Sequence, residues 1–294
     1  MSRELQVFLL LGLIGHPVSH SLSPAMHLAA MKHIGRDGDY RLIDVVEEEL
    51  DSKLASLHRE GYAGFNVTIP HKRAIFARCI GKSEDAVRTG AVNTVKLHPD
   101  GKMIGHNTDL MAFRQALEDH FGKRKRRKAI ILGAGGAARA AVAALVDLDF
   151  QQVNLLVRNP EKHSLSDFFC GDKLLAGETF KMLRSEDFAK EDSGDLPQLI
   201  VNCTPLGQSS NELPSWADAM FKKAGKHAFF FDMVYSKSEN PTPMIEIASK
   251  HRLESIDGKE MLARQAAAAF EFWTDKSMPL NVMLDALNRE IAAR

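Results

Sequence analysis

The stretch Ala129-Ile130-Ile131-Leu132-Gly133-Ala134-Gly135-Gly136-Ala137-Ala138 is followed by an alanine-rich run to about Leu148. Four apolar residues, a glycine turn and a helix-forming run predict strand, tight turn and helix, the context a dinucleotide-binding loop requires. Gly133 permits the tight turn, and Gly135 lets the backbone come close to a pyrophosphate. The helix that opens at Gly136 and Ala137 offers unpaired N–H groups and the positive end of its dipole. Ala138 takes the third glycine position, where a small side chain still allows close packing of helix on strand. A lone glycine pattern also marks plain tight connections; its place between a clean strand and a clean helix favours nucleotide binding.

The next strand, Val153–Val157, ends in Arg158-Asn159. Domains that prefer NAD end this strand in Asp or Glu, which accepts bonds from the ribose hydroxyls. Here a guanidinium and an amide donor suit a 2′-phosphate, so NADP is the expected cofactor. Glu161 follows closely, but no acid stands at the strand end itself.

Upstream, apolar or β-branched runs alternate with amphipathic ones. Strands are expected at Phe8–Ile14, Tyr40–Val46 and Gly64–Thr68, with a strand pair, Thr94–Leu97 and Met103–His106, about the turn Asp100-Gly101. Helices are expected at Pro24–Ile34 with Ser23 as N-cap, at Glu47–Arg59 with Leu50, Leu54 and Leu57 facing inward, near His71–Cys79, and from about Leu110 to Phe121. Downstream, Leu199–Cys203 and Ala228–Val234 read as strands and Pro214–Lys223 as a helix. The class is α/β with mostly parallel sheets. It comprises an N-terminal open α/β substrate domain over residues 1–110 and a Rossmann-like dinucleotide-binding domain over 111–254, with a cleft between them. Helices within 255–294 are expected to pack back on the first domain.

The chain's 294 residues carry 38 Lys+Arg against 38 Asp+Glu, so no net field draws nucleic acid or an anionic membrane. The basic run Lys123–Lys128 reads as a solvated connector, since no aromatic residues interleave it. Val7–Ile14 is too short and its flanks too acidic and polar for a signal segment, and a buried first strand is the better reading. No apolar run reaches the ~20 residues of a membrane helix. Cys79, Cys170 and Cys203 are odd in number and far apart, which excludes a disulfide framework and fits a reducing, cytoplasmic setting. No metal is expected. His16 and His20 are separated by Pro17, and no helix would place both on one face.

The polar residues of the first third gather at strand ends, where open α/β sheets bind small ligands. They are Ser21-Leu22-Ser23-Pro24, Asn66-Val67-Thr68-Ile69-Pro70-His71-Lys72, Gly90-Ala91-Val92-Asn93-Thr94 and Asn107-Thr108-Asp109. Hydroxyls, amides, one lysine and one carboxylate suit a polyhydroxylated acid better than a lipid or nucleobase. Taken singly, each has a plain structural reading: a cap, a turn, a solvated helix face or a surface ion pair.

In order, spacing and context these segments resemble the shikimate dehydrogenase family, with the quinate/shikimate dehydrogenases as close relatives. The resemblance runs from about Leu13 to Leu284 and includes Asp257-Gly258-Lys259-Glu260-Met261-Leu262-Ala263-Arg264-Gln265. It implies reversible NADP-linked reduction of 3-dehydroshikimate to shikimate, in the biosynthesis of aromatic amino acids. Ser21 and Ser23 then match the serines that hold the substrate carboxylate, with Tyr235 nearby. Asn66, Thr68, Asn93 and Gln265 match residues that bond the ring hydroxyls, and Lys72 and Asp109 the catalytic pair. Gly133, Ala134, Gly135, Gly136, Ala137, Arg158, Asn159, Thr204 and Gly258 match the cofactor contacts. The chain departs from the family pattern at Leu110 and Ala112, where glycines are usual, at Val157-Arg158-Asn159, where Asn-Arg-Thr is common, and at Gln208, where methionine is common. The segment after Tyr235 is also longer by a couple of residues before Thr242-Pro243. Two alternatives stand beside this reading: a quinate/shikimate paralogue using NAD or both cofactors, and a catalytically silent metabolite sensor. Small-molecule substrate is the only partner implied, for a monomer or a homodimer.

Overall fold

In the computed structural model, residues 8–164, 168, 179–188, 196–208, 213–238 and 240–294 are described. Cys170 and residues 1–7 lie outside them. The chain forms two compact units, residues 1–108 with 262–294, and residues 109–261.

The first unit contains β1 (Leu9–Gly15), α1 (Ser23–His33), β2 (Gly38–Asp44), α2 (Leu50–Arg59), β3 (Gly64–Val67), α3 (Lys72–Arg78), β4 (Gly81–Lys82), α4 (Glu84–Thr89), β5 (Thr94–Leu97) and β6 (Met103–His106). Its sheet runs β2-β1-β3-β5-β6-β4. β1 pairs parallel with β2 and β3, but β5 is antiparallel to both β3 and β6. The sheet is therefore more mixed than the sequence suggests, because the hairpin at Asp100-Gly101 enters it whole. Gly101, at φ +82°, supplies the turn.

That topology places the polar segments. β1 is flanked by β2 on one side and β3 on the other, so the loops after β1 and β3 diverge at a switch point, where α/β sheets open a crevice. Because β5 runs the opposite way, its first residue Thr94 lies opposite both Asn66 at the end of β3 and His106 at the end of β6.

Ser23 does not cap α1. Leu22 holds the cap position with helical dihedrals and no side-chain bond, and Ser23 is the first helical residue. Its N–H donates to Ser21 Oγ at 3.2 Å, so the Ser21 side chain meets that need instead. Glu47–Glu49 form a 3-10 turn ahead of α2, whose Leu50, Leu54 and Leu57 are buried as expected.

α5 (Thr108–Phe121) carries the chain into the second unit. There follow β7 (Lys128–Leu132), α6 (Gly136–Asp147), β8 (Gln152–Val157), β9 (Phe180–Arg184), β10 (Leu199–Asn202), α7 (Ser215–Lys222), β11 (Phe229–Asp232), α8 (Pro243–Lys250) and β12 (Glu254–Ile256). All pairs of this sheet are parallel, in the order β12-β11-β10-β7-β8-β9. This is the doubly wound dinucleotide-binding order, with its switch point between β7 and β10. Ile131, Leu155, Val201 and Phe231 face one apolar layer, and Ile130, Leu156, Ile200 and Phe230 the other. Such strands are buried on both faces, which is why they read as unbroken apolar runs.

Residues 255–261 also belong to this unit: β12 adds to the edge of β11, and the first turn of the helix that follows it lies in the same unit. The basic run is not wholly solvated either. Arg124 packs over Phe121 and Phe229 and pairs with Glu254, while Lys128 is buried at the start of β7. Among the described residues no helix is long and apolar enough to cross a membrane.

α9 (Lys259–Thr274) and α10 (Leu280–Ala292) complete the chain. α10 packs on α1, and Trp273 Nε1 donates to Val95 O at 2.8 Å, tying α9 to β5. Gly64 leaves room for that indole: a Cβ there would overlap both the Trp273 ring and Val95 O. Gly64→Ala is therefore expected to lower stability by about 1–3 kcal/mol through overpacking, read as a fall in the urea midpoint. An unchanged midpoint would mean the Trp273 ring is not wedged there.

Candidate active site

In the first unit two of the predicted residues, Asn66 and Asn93, share one buried polar network. Tyr40 Oη donates to Asn66 Oδ1 at 2.7 Å. Asn66 Nδ2 donates to Asn93 O at 3.2 Å and to Thr94 Oγ1 at 3.1 Å. Asn93 Oδ1 accepts the Thr108 N–H at 2.8 Å and the Thr94 hydroxyl at 3.0 Å, and Asn93 Nδ2 donates to Thr108 Oγ1 at 2.9 Å. These bonds fix the orientation of both amides. With both Asn66 N–H groups engaged, the Asn66 side chain has acceptor capacity at Oδ1 to offer a ligand hydroxyl.

At the other end of the network, the Ser21 hydroxyl donates to Ser23 Oγ at 3.1 Å. Burial pushes the Tyr40 phenol well above its ordinary pKa, against a smaller opposing effect of the Ser23 hydroxyl beside it. Tyr40 thus stays protonated and can keep donating to Asn66. Thr68 follows β3, and its carbonyl accepts the His71 N–H at 3.0 Å. Lys72 opens α3, and its carbonyl accepts the Val92 N–H at 3.0 Å, which ties the lysine's backbone to the segment bearing Asn93. His71, buried beside it, holds Val45 O through Nε2 at 2.6 Å. Gln265 is half-buried on α9, and its Nε2 donates to Leu262 O at 2.9 Å.

In the second unit Asp109 is buried in the first turn of α5. The glycine loop fits a dinucleotide on its own geometry. Gly133 has φ +100°, open to glycine and strained for other residues, and a Cβ there would stand 2.9 Å from the Thr204 methyl. A Cβ on Gly135 would meet nothing within 4 Å, so the backbone is open to a ligand. α6 has 12 residues, no side-chain cap and no acid in its first turn, leaving the N–H groups of Gly136 and Ala137 and the dipole available to phosphate. Ala134 packs against the core, Arg158 is exposed and Asn159 half-buried.

Thr204 is held from beneath. Its N–H and hydroxyl donate to Asn202 Oδ1 at 3.0 and 2.6 Å, and Asn202 Nδ2 donates to Asp232 Oδ1 at 2.9 Å. Asp232 also accepts the Thr242 hydroxyl at 2.6 Å and the Val234 N–H at 3.1 Å. Burial raises the Asp232 carboxyl to about 7, although these three donors pull the other way. Tyr235, half-buried, lies just beyond and lines a cavity of about 370 Å³ with Gly207, Ser236 and Thr242. Gly258 donates its N–H to Val234 O at 3.1 Å, and a Cβ there would overlap Met233 O. Close packing of backbone on backbone is thus one reason for glycine at 258.

Sequence reasoning missed Tyr40 and His27, and it singled out the segment of Thr94 without giving that residue a role. Tyr40 reads as an ordinary strand residue, and its one signal is a hydroxyl on an otherwise apolar inward face. His27 is fully buried, stacked on Tyr40 at 4.4 Å and 9° and tilted against Trp273 at 5.3 Å. The Asn66 amide beside it favours the proton, but no well-formed hydrogen bond reaches either ring nitrogen among the described residues. Burial therefore wins and lowers the pKa to about 3. The unfolded chain then binds this proton first, so stability is full above about pH 6.5 and is lost as pH falls toward about 3. His27→Phe, which keeps the stacked ring, is expected to remove about 1.5 kcal/mol of the loss between about pH 6.5 and 5. Denaturant titrations at both pH values check it; equal losses in both proteins would show that His27 does not titrate this way.

Residues 13–95 match the shikimate dehydrogenase substrate binding domain, and residues 258–287 the shikimate 5′-dehydrogenase C-terminal domain. A shikimate dehydrogenase (NADP(+)) of Synechococcus sp. (strain JA-3-3Ab) is 38% identical over 291 residues, covering 96% of this chain and 94% of that one. A crystal structure of shikimate dehydrogenase in complex with NADP+ is 33% identical, with a TM-score of 0.82 over 97% of this chain and 96% of that one. The shikimate 5-dehydrogenase of Thermus thermophilus, in complex with NADP(H) and shikimate, is 31% identical, with a TM-score of 0.77 over 96% of this chain and all (100%) of that one. Similarity of this extent, spanning both sheets and both sets of polar residues, makes this chain a member of the shikimate dehydrogenase family.

Proposed function

We propose that this chain catalyses the reversible NADP-dependent reduction of 3-dehydroshikimate to shikimate, a step in aromatic amino-acid biosynthesis. The observation that carries the reading is the match along 96% of the chain to a relative named for NADP+-dependent shikimate dehydrogenation. The buried network supports it from the chain's own chemistry. It gathers hydroxyl and amide groups of the kind that bind a polyhydroxylated acid.

When bound, the reduced nicotinamide supplies hydride to the substrate carbonyl. The charge then developing on oxygen needs a proton donor and a positive neighbour. Lys72 is assigned that role: its ammonium bonds the oxygen and protonates it, and as a neutral amine it takes the proton in the reverse direction. Asp109 is assigned to hold a ring hydroxyl, whose hydrogen bond its carboxylate accepts. Ser21 and Ser23 hold the substrate carboxylate as donors, with Tyr235 as a further hydroxyl for it. Asn66, Thr68, Asn93 and Gln265 hold the ring hydroxyls. Gly133, Ala134, Gly135, Gly136 and Ala137 cradle the pyrophosphate, Thr204 and Gly258 line the remainder of the cofactor, and Arg158 with Asn159 takes the 2′-phosphate. A reducing, cytoplasmic setting fits the free thiols of Cys79 and Cys203, and a monomer or homodimer is the expected assembly.

Lys72→Ala is expected to lower kcat by about 100- to 10,000-fold, the range for a positioned acid or base, with a much smaller change in KM for shikimate. Asp109→Asn should lower kcat by a similar or smaller factor. Steady-state oxidation of shikimate, followed at the nicotinamide absorbance, measures both. Near-normal turnover in the Lys72 variant would remove that residue from the chemistry.

Wild type is expected to prefer NADP+ to NAD+. Arg158→Ala should weaken NADP+ by about 1.5–3 kcal/mol, the range for bonds to charged groups, and leave NAD+ nearly unchanged. The measurement is kcat/KM for both cofactors at fixed ionic strength, with shikimate and with quinate. A wild-type preference for NAD+ or for quinate would replace this reading with that of the quinate/shikimate paralogue, and no turnover at all with that of a silent sensor.

A further inference from the structure

The turn after β8 carries three charged residues, Arg158, Glu161 and Lys162, and Glu161 is the one that does not suit a phosphate. Arg158 and Glu161 lie three residues apart, with a 3-10 turn at Pro160–Lys162 between strand end and loop. This turn lies beside the glycine loop, because Gly133 N–H donates to Leu156 O at 2.9 Å. A carboxylate at that place would accept bonds from a ribose diol and repel a 2′-phosphate, so Glu161 alone would favour NAD+.

The neighbouring strand changes that balance. Arg184 ends β9 and lies opposite Val157 in the parallel ladder. Its Nη1 donates to Arg158 O at 2.7 Å, and its Nη2 donates to Glu161 Oε2 at 3.1 Å. The two side chains are 42% and 59% exposed, so the pair adds little to folding stability. Its effect is on the local field and on the backbone of the turn.

We propose that Arg184 is a specificity determinant for the cofactor: it neutralises Glu161 and holds the Arg158 carbonyl, so that the turn receives a 2′-phosphate rather than a ribose diol. Arg184 acts through its two neighbours and is a positioning residue. The inference rests on the NADP reading above and extends it to a residue of the adjoining strand.

The test uses the full chain and two probes that carry no nicotinamide, 2′,5′-ADP and 5′-AMP, with dissociation constants from calorimetry. Wild type should bind 2′,5′-ADP the more tightly, and Arg184→Met should shrink that preference by about tenfold at low ionic strength. Adding Glu161→Gln to Arg184→Met should restore most of it, and Arg184→Lys, which keeps the charge but loses the fork, should fall between. In about 0.5 M salt the effect of Arg184→Met should largely disappear, because the charges are exposed. The kcat/KM ratio of NADP+ to NAD+ should follow the same order. Equal weakening of both probes would overturn the proposal and leave Arg184 a plain support of the turn. An unchanged preference in Arg184→Met would also overturn it. Arg158→Ala separates the two levels: if it abolishes the preference while Arg184→Met leaves it unchanged, only the present inference fails. If wild type shows no preference for 2′,5′-ADP, the NADP reading itself fails.

Discussion

Two buried asparagine amides govern the first unit. Asn66 and Asn93 are 5% and 2% exposed, and an amide withdrawn from water without partners costs several kcal/mol in an apolar setting. The strands around them are drawn into meeting that demand. Tyr40 comes from β2, Thr94 from β5 and Thr108 from the start of α5, while the Asn93 carbonyl accepts from both the Asn66 side chain and the Val67 N–H. A one-residue slip of β5 against β3 would turn Thr94 to the opposite face and break the set. Register and the orientation of both amides are thus decided by the same bonds.

The second unit solves a different problem with the same means. A dinucleotide loop must be open, and openness leaves its flanks without side-chain support. Thr204, which crowds Gly133, is held through Asn202 onto the buried Asp232, and Asp232 is held in turn by Thr242 at the start of α8. The polar supports lie at the ends of β10 and β11, where the parallel sheet ceases to satisfy backbone groups. On the far side of the switch point, the turn after β8 is steadied by Arg184 from β9. Gly133 takes the φ of +100° that the turn needs, and the residues around it are anchored.

Much of the fold was legible in the sequence because both sheets are made from short buried strands. The strands Thr94–Leu97 and Met103–His106 fall where their alternation and the Asp-Gly turn predict them, and the unbroken apolar runs at 129–132 and 199–201 mark a parallel sheet. Weak patterns were not legible. β4 has two residues and β12 three, too few to show a period, and α4 is one short helix capped by Ser83. Ser23 was misread as a cap because a serine directly before proline fits that role locally, and only the position of Ser21 shows who bonds to whom.

Residue identity at local spacing carries the family, the α/β class and the glycine loop, and it marks the polar residues at the strand ends as candidates. The tertiary structure decided which of those residues stand together and what they can offer. Asn66 and Tyr40 are 26 residues apart, and Asn66 lies 27 from Asn93, yet their bonds determine which atoms of each amide are engaged. Glu161 and Arg184 are 23 residues apart, and no local pattern shows that the arginine reaches the acid. Such pairings depend on strand order and register, which arise from burial summed over the whole sheet and leave no trace in any short stretch of chain.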